Sequence, residues 1–265
     1  MWDTISALIE DWHTLRCAEV SQLLSMSAAL SFATSPMSCI KASIACDAGK
    51  KGAKYTKPRA VSAAKQAMQL NEEQKDILVG TLLGDAYLER AKQQFNARLQ
   101  FDQTFPAHAE YLTMLYVKFI NLAKAGPRVV IRKADKRTGN VYCQMVWKSL
   151  TFPCLNVYHD LFYQDGRKIV PANIGSLLSA RALAYWFMDD GSKGSNGEAM
   201  LHTRSFTLAE TQLLQKALMD NFGLRTRLIE KVSGQWVIVI PVKQVRPLKD
   251  IVSPFMCVSM LYKLH

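Results

Sequence analysis

The sequence predicts an α+β protein made of two similar halves, on the strength of two observations. The same order of elements (helix, strand, helix, hairpin, short helix) runs through residues 71–175 and again through 176–265. Each copy also ends its opening helix on an aspartate, Asp85 in the first and Asp190 in the second. Two similar halves in one chain pack about a pseudo-twofold axis, as symmetric dimers do.

In the first copy, Asn71 followed by Gln74 has the form of a capping box, and the helix it opens runs through Ile77, Leu78, Val79, Leu82 and Leu83. Residues 98–104 alternate polar and apolar, the signature of a half-buried strand. Residues 106–122 carry apolar side chains at helical spacing (Tyr111, Leu115, Phe119, Leu122). Residues 128–133 and 141–148 read as a hairpin around Thr138-Gly139-Asn140, and 155–162 as a short helix. The second copy repeats this with a helix over 180–188 and a strand over 199–206. A second capping box, Thr207 with Glu210, opens a helix through Leu213, Leu214, Leu218 and Phe222. Strands at 226–231 and 235–240 flank Ser233-Gly234, and a short helix is expected at 249–253.

Composition narrows the partner. About half of the 265 residues are hydrophobic (49%), which suits a packed core, and the formal net charge is +11. That excess favours a polyanion, either nucleic acid or an anionic membrane surface. No apolar run reaches the roughly 18 residues that a membrane span needs, and no membrane is expected. The six cysteines (Cys17, Cys39, Cys46, Cys143, Cys154, Cys257) form no CxxC pair and no zinc spacing, so reduced thiols are expected. Residues 1–70 stand apart. An apolar, Ser/Ala-rich stretch with helical spacing (Ile5, Leu8, Ile9, Trp12, Leu15) gives way to a basic run at 41–65, and together they read as an extension and linker. Asp3, Glu10, Asp11 and Glu19 argue against an organelle-targeting leader.

The two helix ends carry the chemistry. The first reads Leu78-Val79-Gly80-Thr81-Leu82-Leu83-Gly84-Asp85-Ala86 and the second Leu183-Ala184-Tyr185-Trp186-Phe187-Met188-Asp189-Asp190-Gly191. Gly80, Gly84 and Ala184 are small enough for the two helices to approach closely, which brings Asp85 and Asp190 together. Carboxylates paired at helix C-termini gain nothing from the helix dipole, so they call for a divalent cation. Hard oxygen donors suit Mg²⁺, which completes its shell with water and phosphate. The reaction that follows is metal-assisted phosphodiester hydrolysis.

At these two segments the chain resembles the LAGLIDADG homing endonucleases, most closely the monomeric members with two motifs. The resemblance covers residues 71–265. It implies two αββαββα halves, the motif helices at the central interface, and two antiparallel, saddle-shaped sheets over a DNA major groove. It makes Asp85 and Asp190 the essential metal-binding acids, with Mg²⁺ or Mn²⁺ as cofactor and the carbonyls of Gly84 and Asp189 as further ligands. Lys168 and Lys263 match the lysines that close each half near the active centre. Two departures stand out: the motif's earlier acid is Leu83 in one copy and Met188 in the other, and Tyr185 replaces the usual Gly, so asymmetric packing is expected. On the sheets, polar residues alternating with apolar ones are the candidates for DNA contact. They are Arg98, Gln100, Arg128, Arg132, Tyr142, Gln144 and Lys148 in the first half, and His202, Arg204, Arg225, Arg227, Lys231 and Gln235 in the second. The sets differ, so the expected target is long, asymmetric double-stranded DNA. An intron RNA maturase and a non-cutting DNA-binding regulator are the competing readings, and the family resemblance points to an organelle, mitochondrion or chloroplast.

Overall fold

The computed structural model describes residues 62–264. The extension over residues 1–61, including its expected helix and basic linker and Cys17, Cys39 and Cys46, lies outside the described residues. A one-turn helix α1 (Ala63–Ala67) precedes the first half. Lys65 on it donates to the Thr151 carbonyl at 3.2 Å and lies over the Phe152 ring.

Each half repeats one plan. The first contains α2 (Glu72–Leu83), β1 (Tyr87–Glu89), β2 (Arg98–Thr104), α3 (Ala109–Lys118), β3 (Arg128–Ile131), β4 (Cys143–Lys148) and α4 (Asn156–Phe162). A small ribbon, β5 (Tyr163–Gln164) with β6 (Arg167–Lys168), and α5 (Ile174–Leu177) lead into the second half. That half contains α6 (Ala180–Asp190), β7 (Gly191–Lys193), β8 (Ala199–His202), α7 (Leu208–Phe222), β9 (Arg227–Val232), β10 (Gln235–Ile240) and α8 (Val242–Val252). The sheets share one antiparallel topology, β1-β2-β4-β3 in the first half and β7-β8-β10-β9 in the second. The α+β fold with two pseudo-symmetric halves is therefore present.

Both capping boxes form. Asn71 and Gln74 exchange side-chain and backbone hydrogen bonds at the start of α2, and Thr207 and Glu210 do so at α7. Gly223 ends α7 in the left-handed conformation, φ 67°, which glycine adopts without a Cβ penalty. Each sheet packs one face against helices. In the first half Phe101 stacks on Trp147 and tilts against Phe119, so β2, β4 and the segment after α3 share one aromatic core.

Two expectations change. Strand β8 ends at His202 and not at 206, because Phe206 N–H donates to the Thr203 carbonyl and closes a turn there. Helix α8 begins at Val242, seven residues before the expected start, and runs through Pro247. An interior proline removes a hydrogen bond, but burial of Leu248 and Val252 against the core holds the helix across it. The short strands β1 and β7, directly after the motif helices, carried too few residues to show a period.

The two motif helices α2 and α6 pack against each other as the central seam. A Cβ added to Gly80 would lie 2.9 Å from the Ala182 carbonyl carbon and from Tyr185 Cβ, so the backbones meet there. The face of α6 that meets Gly80 and Gly84 carries Ala182, Tyr185 and Asp189; Ala184, on which close approach was expected, is buried but off that line. Arg181 on α6 pairs with Asp76 on α2 at 3.1 Å across the same seam.

Candidate active site and nucleic-acid interface

Close packing of α2 and α6 brings their C-terminal ends together. Asp85 follows the Gly84 cap of α2, exposed to solvent, and Asp190 is the last residue of α6, partly buried. Burial, and then the charge of Asp85, push the Asp190 carboxyl up to about 7. The two acids therefore sense each other, as two carboxylates sharing one site must.

Between them lies a third acid whose carboxylate the sequence did not single out. Asp189 accepts from the backbone N–H of Asp85 at 3.1 Å and from the Tyr111 hydroxyl at 2.8 Å. Gln103 bridges, its amide donating to Asp85 Oδ2 at 3.0 Å and to Asp189 Oδ1 at 3.4 Å. His108 Nδ1 contacts the Gln103 carbonyl oxygen at 2.9 Å and fixes which way that amide points. Burial, reinforced by Asp85, holds the Asp189 carboxyl well above the usual range. One signal could have found Gln103: it occupies the apolar phase of β2, in line with Leu99 and Phe101, and is buried like them. Tyr111 and His108 offered no such signal, because their roles depend on α3 crossing beneath the other half's helix end.

The two lysines take matching places. Lys168 on β6 donates to the carbonyls of Gly84 at 2.8 Å and Ala86 at 2.7 Å. Lys263, in the C-terminal 3-10 segment Val258–Leu264, donates to the Asp189 carbonyl at 3.0 Å and to that of Met188. Each ammonium thus caps the end of a motif helix, where cations are favoured. Burial lowers both lysine pKa values, and the nearby aspartates partly offset it.

The donor set suits a hard divalent cation. Among the described residues no three His, Cys, Asp or Glu side chains converge as a ready metal cluster. Asp85 and Asp190 would supply the carboxylates, and water and substrate phosphate the remaining positions, which is how Mg²⁺ is commonly held. The Gly84 and Asp189 carbonyls each accept from a lysine, which leaves one lone pair on each.

The register sorts the strand residues by face. Gln100 pairs with Lys148, Asp102 with Val146, and Thr104 with Gln144, so these share the face opposite the core. Arg128 lies opposite Val146, and Arg132 N–H donates to the Tyr142 carbonyl beyond the end of β3, which extends that face to both. The charged residues on this sheet are partly engaged. Arg98 pairs with Glu89 at 2.6 Å, Lys148 approaches Glu89 at 4.0 Å, and Arg132 pairs with Asp102 at 2.5 Å. In the second half, His202 lies opposite Val237 and Arg227 opposite Val239 on the matching face. Arg204 and Lys231 lie close enough to lower the His202 pKa, after burial. Gln235 pairs with Val232 beside a β-bulge. Arg225 falls just before β9 and lines a hollow with Gln212, Lys216 and Asp220 of α7. No helix among the described residues is long and apolar enough to cross a membrane.

A pair of motif helices whose acidic ends meet, flanked by two four-stranded sheets, defines a class, and the comparisons agree with it. The model of the LAGLIDADG DNA endonuclease family matches residues 75–248, and the chain belongs to that family. Its relatives include a probable intron-encoded endonuclease of Wickerhamomyces canadensis, 29% identical over 76% of this chain and 87% of that protein. Another is the DNA endonuclease I-ChuI of Chlamydomonas applanata, 28% identical over 74% of this chain and 96% of that one. A cytochrome b mRNA maturase bI2 of Debaryomyces hansenii is 29% identical over 74% of each chain. Among solved structures, the homing endonuclease I-WcaI bound to its DNA recognition sequence superposes with a TM-score of 0.69 at 26% identity, covering 76% of this chain and 89% of that one.

Proposed function

We propose that the chain is a homing endonuclease that cuts both strands of a long, asymmetric double-stranded DNA site by hydrolysis dependent on Mg²⁺ or Mn²⁺. The observation that carries this is the meeting of Asp85 and Asp190 at the seam of a duplicated fold, with a lysine on each side. Asp85 and Asp190 would hold the cation. When bound, it supplies Lewis-acid stabilisation of the phosphate's developing charge and a nucleophile at neutral pH. Lys168 and Lys263 add positive potential beside the scissile phosphates, where charge builds up in the transition state. Gln103 and Asp189 position Asp85. The sheets lie in the major groove, with different side chains in each half, so one chain reads a non-palindromic sequence as a monomer.

The maturase relative supports a second ligand, intron RNA, and with it an organelle setting, mitochondrion or chloroplast. RNA binding does not require two retained acids, so cleavage of DNA is the primary reading.

The test is to incubate the protein and an Asp85→Asn, Asp190→Asn double variant with DNA carrying a candidate intron-insertion junction, with Mg²⁺ and with EDTA. A double-strand break that needs Mg²⁺ and disappears in the variant supports the proposal. Junction-specific binding without cleavage favours the regulator, and binding to intron RNA alone favours the maturase.

A further inference from the structure

The two sheets share a topology but differ in how they hold their charges. Among the described residues, no acidic side chain lies within ion-pair distance of Arg204, Arg227 or Lys231 of the second half. In the first half, by contrast, Arg132 is braced on two sides. Its Nη2 donates to Asp102 Oδ2 at 2.5 Å, and its Nε donates to Gln144 Oε1. The register that sets Tyr87 opposite Gln100 and Gly191 opposite Leu201 makes Asp102 and His202 equivalent positions. The second half thus carries at this place a histidine hydrogen-bonded to Ser192 at 2.8 Å, and no acid.

We propose that Asp102 is a specificity-determining residue: with Arg132 it selects a G·C base pair in the half-site against the first sheet. This rests on the DNA-binding reading above. An acid on a face that meets phosphate weakens binding to every sequence alike, so its use lies in discrimination. The brace shows how it discriminates. It removes rotamer freedom from Arg132 before DNA arrives and leaves the guanidinium hydrogens not used on Asp102 and Gln144 to reach guanine O6 and N7, the commonest base contact of arginine. The other carboxylate oxygen, Asp102 Oδ1, is shielded from water, so the acid acts by holding Arg132 and not by touching a base. Where another pair stands there, the braced guanidinium loses its acceptors, and a buried unpaired polar group penalises the wrong sequence more than the right contact favours the correct one. The unbraced cations of the second sheet fit the other task, contact with phosphate.

The test is selection from a library of random DNA duplexes, in EDTA so that nothing is cut, followed by sequencing of the bound fraction. It compares the parent with Asp102→Ala, Asp102→Asn, Arg132→Ala and, as a control, Arg227→Ala, with a melting curve for each. The parent is expected to enrich one long site. The Asp102 and Arg132 variants should keep that site but lose about tenfold or more of the preference for G·C at one and the same position. Asp102→Ala should bind unrelated duplex at least as tightly as the parent, because a negative charge has gone. Arg227→Ala should weaken all sequences together. Where alanine lowers the melting temperature, the asparagine variant, which keeps the shape, decides. An Asp102→Asn profile identical to the parent's overturns the proposal, as does uniform weakening at every position. A parent that enriches no sequence overturns the endonuclease reading itself, an outcome separable from both.

Discussion

Replacing Gly80 with alanine sets two effects of opposite sign against each other. In a solvated helix the change is favourable: alanine exceeds glycine in helix propensity by about 1 kcal/mol and narrows the unfolded ensemble. In this protein the new methyl would meet the backbone of the facing helix, 2.9 Å from the Ala182 carbonyl carbon and closer still to its oxygen. A backbone cannot rotate aside as a side chain can, so α2 and α6 must move apart. Overpacking of this kind costs about 1–3 kcal/mol, and the upper end applies because the obstacle is rigid and separation loosens contacts along the whole seam. The expected net loss is about 2 kcal/mol, or a melting temperature lower by about 4–8 °C for a domain of this size. The control is Gly175→Ala in α5, where a Cβ meets nothing within 4 Å and no loss is expected. Urea and thermal melts of both variants provide the measurement. A Gly80→Ala protein as stable as the parent would refute the close-approach account of the seam. The same variant should cut DNA poorly, because the seam sets the spacing of Asp85 and Asp190.

Three further outcomes follow from the site. Burial and Asp85 raise the Asp190 pKa to about 7, so a neutral carboxyl carries no penalty at low pH, and the folded state loses stability as pH climbs from the ordinary carboxylate range towards 7. In EDTA, urea melts from about pH 4 to 8 should show Asp190→Asn gaining on the parent over that window. The gain is about 2 kcal/mol at the upper end, below the full linkage value because the residue is partly open to water, and added Mg²⁺ should stabilise the parent alone. Lys168→Met and Lys263→Met should each lower the single-turnover cleavage rate by about 10²–10³ while leaving DNA affinity in EDTA within a few fold; an unchanged rate would exclude the lysines from transition-state stabilisation. Arg227→Ala and Lys231→Ala should each lower the slope of log affinity against log salt by about 1, and an unchanged slope would remove that residue from the phosphate contacts.

The fold was legible in the sequence to the extent that local rules govern it. Asn71 with Gln74 and Thr207 with Glu210 mark helix starts because a cap is satisfied within four residues. The alternation over 98–104 marks a strand because successive side chains point to opposite faces. Repetition of these marks was enough to expose the duplicated plan and its two acids, Asp85 and Asp190. Pro247 shows where local rules fail: the expected helix began after it, at 249, yet α8 passes through it, since packing of Leu248 and Val252 outweighs one missing hydrogen bond.

Only the tertiary structure decided which groups surround those acids. Asp189, Gln103, Tyr111 and His108 come from a motif helix, a strand and the entry to α3, and they meet because Gly80 and Gly84 let two helices close on each other. It likewise decided that Arg132 is braced by Asp102 while, among the described residues, no acid pairs with Arg227, and that Arg225 lines a hollow against α7. The difference has one physical cause. Caps, turns and alternation are fixed over a few residues of chain, whereas contacts between residues a half-molecule apart depend on how closely two backbones can approach, and that is set by every side chain along the seam at once.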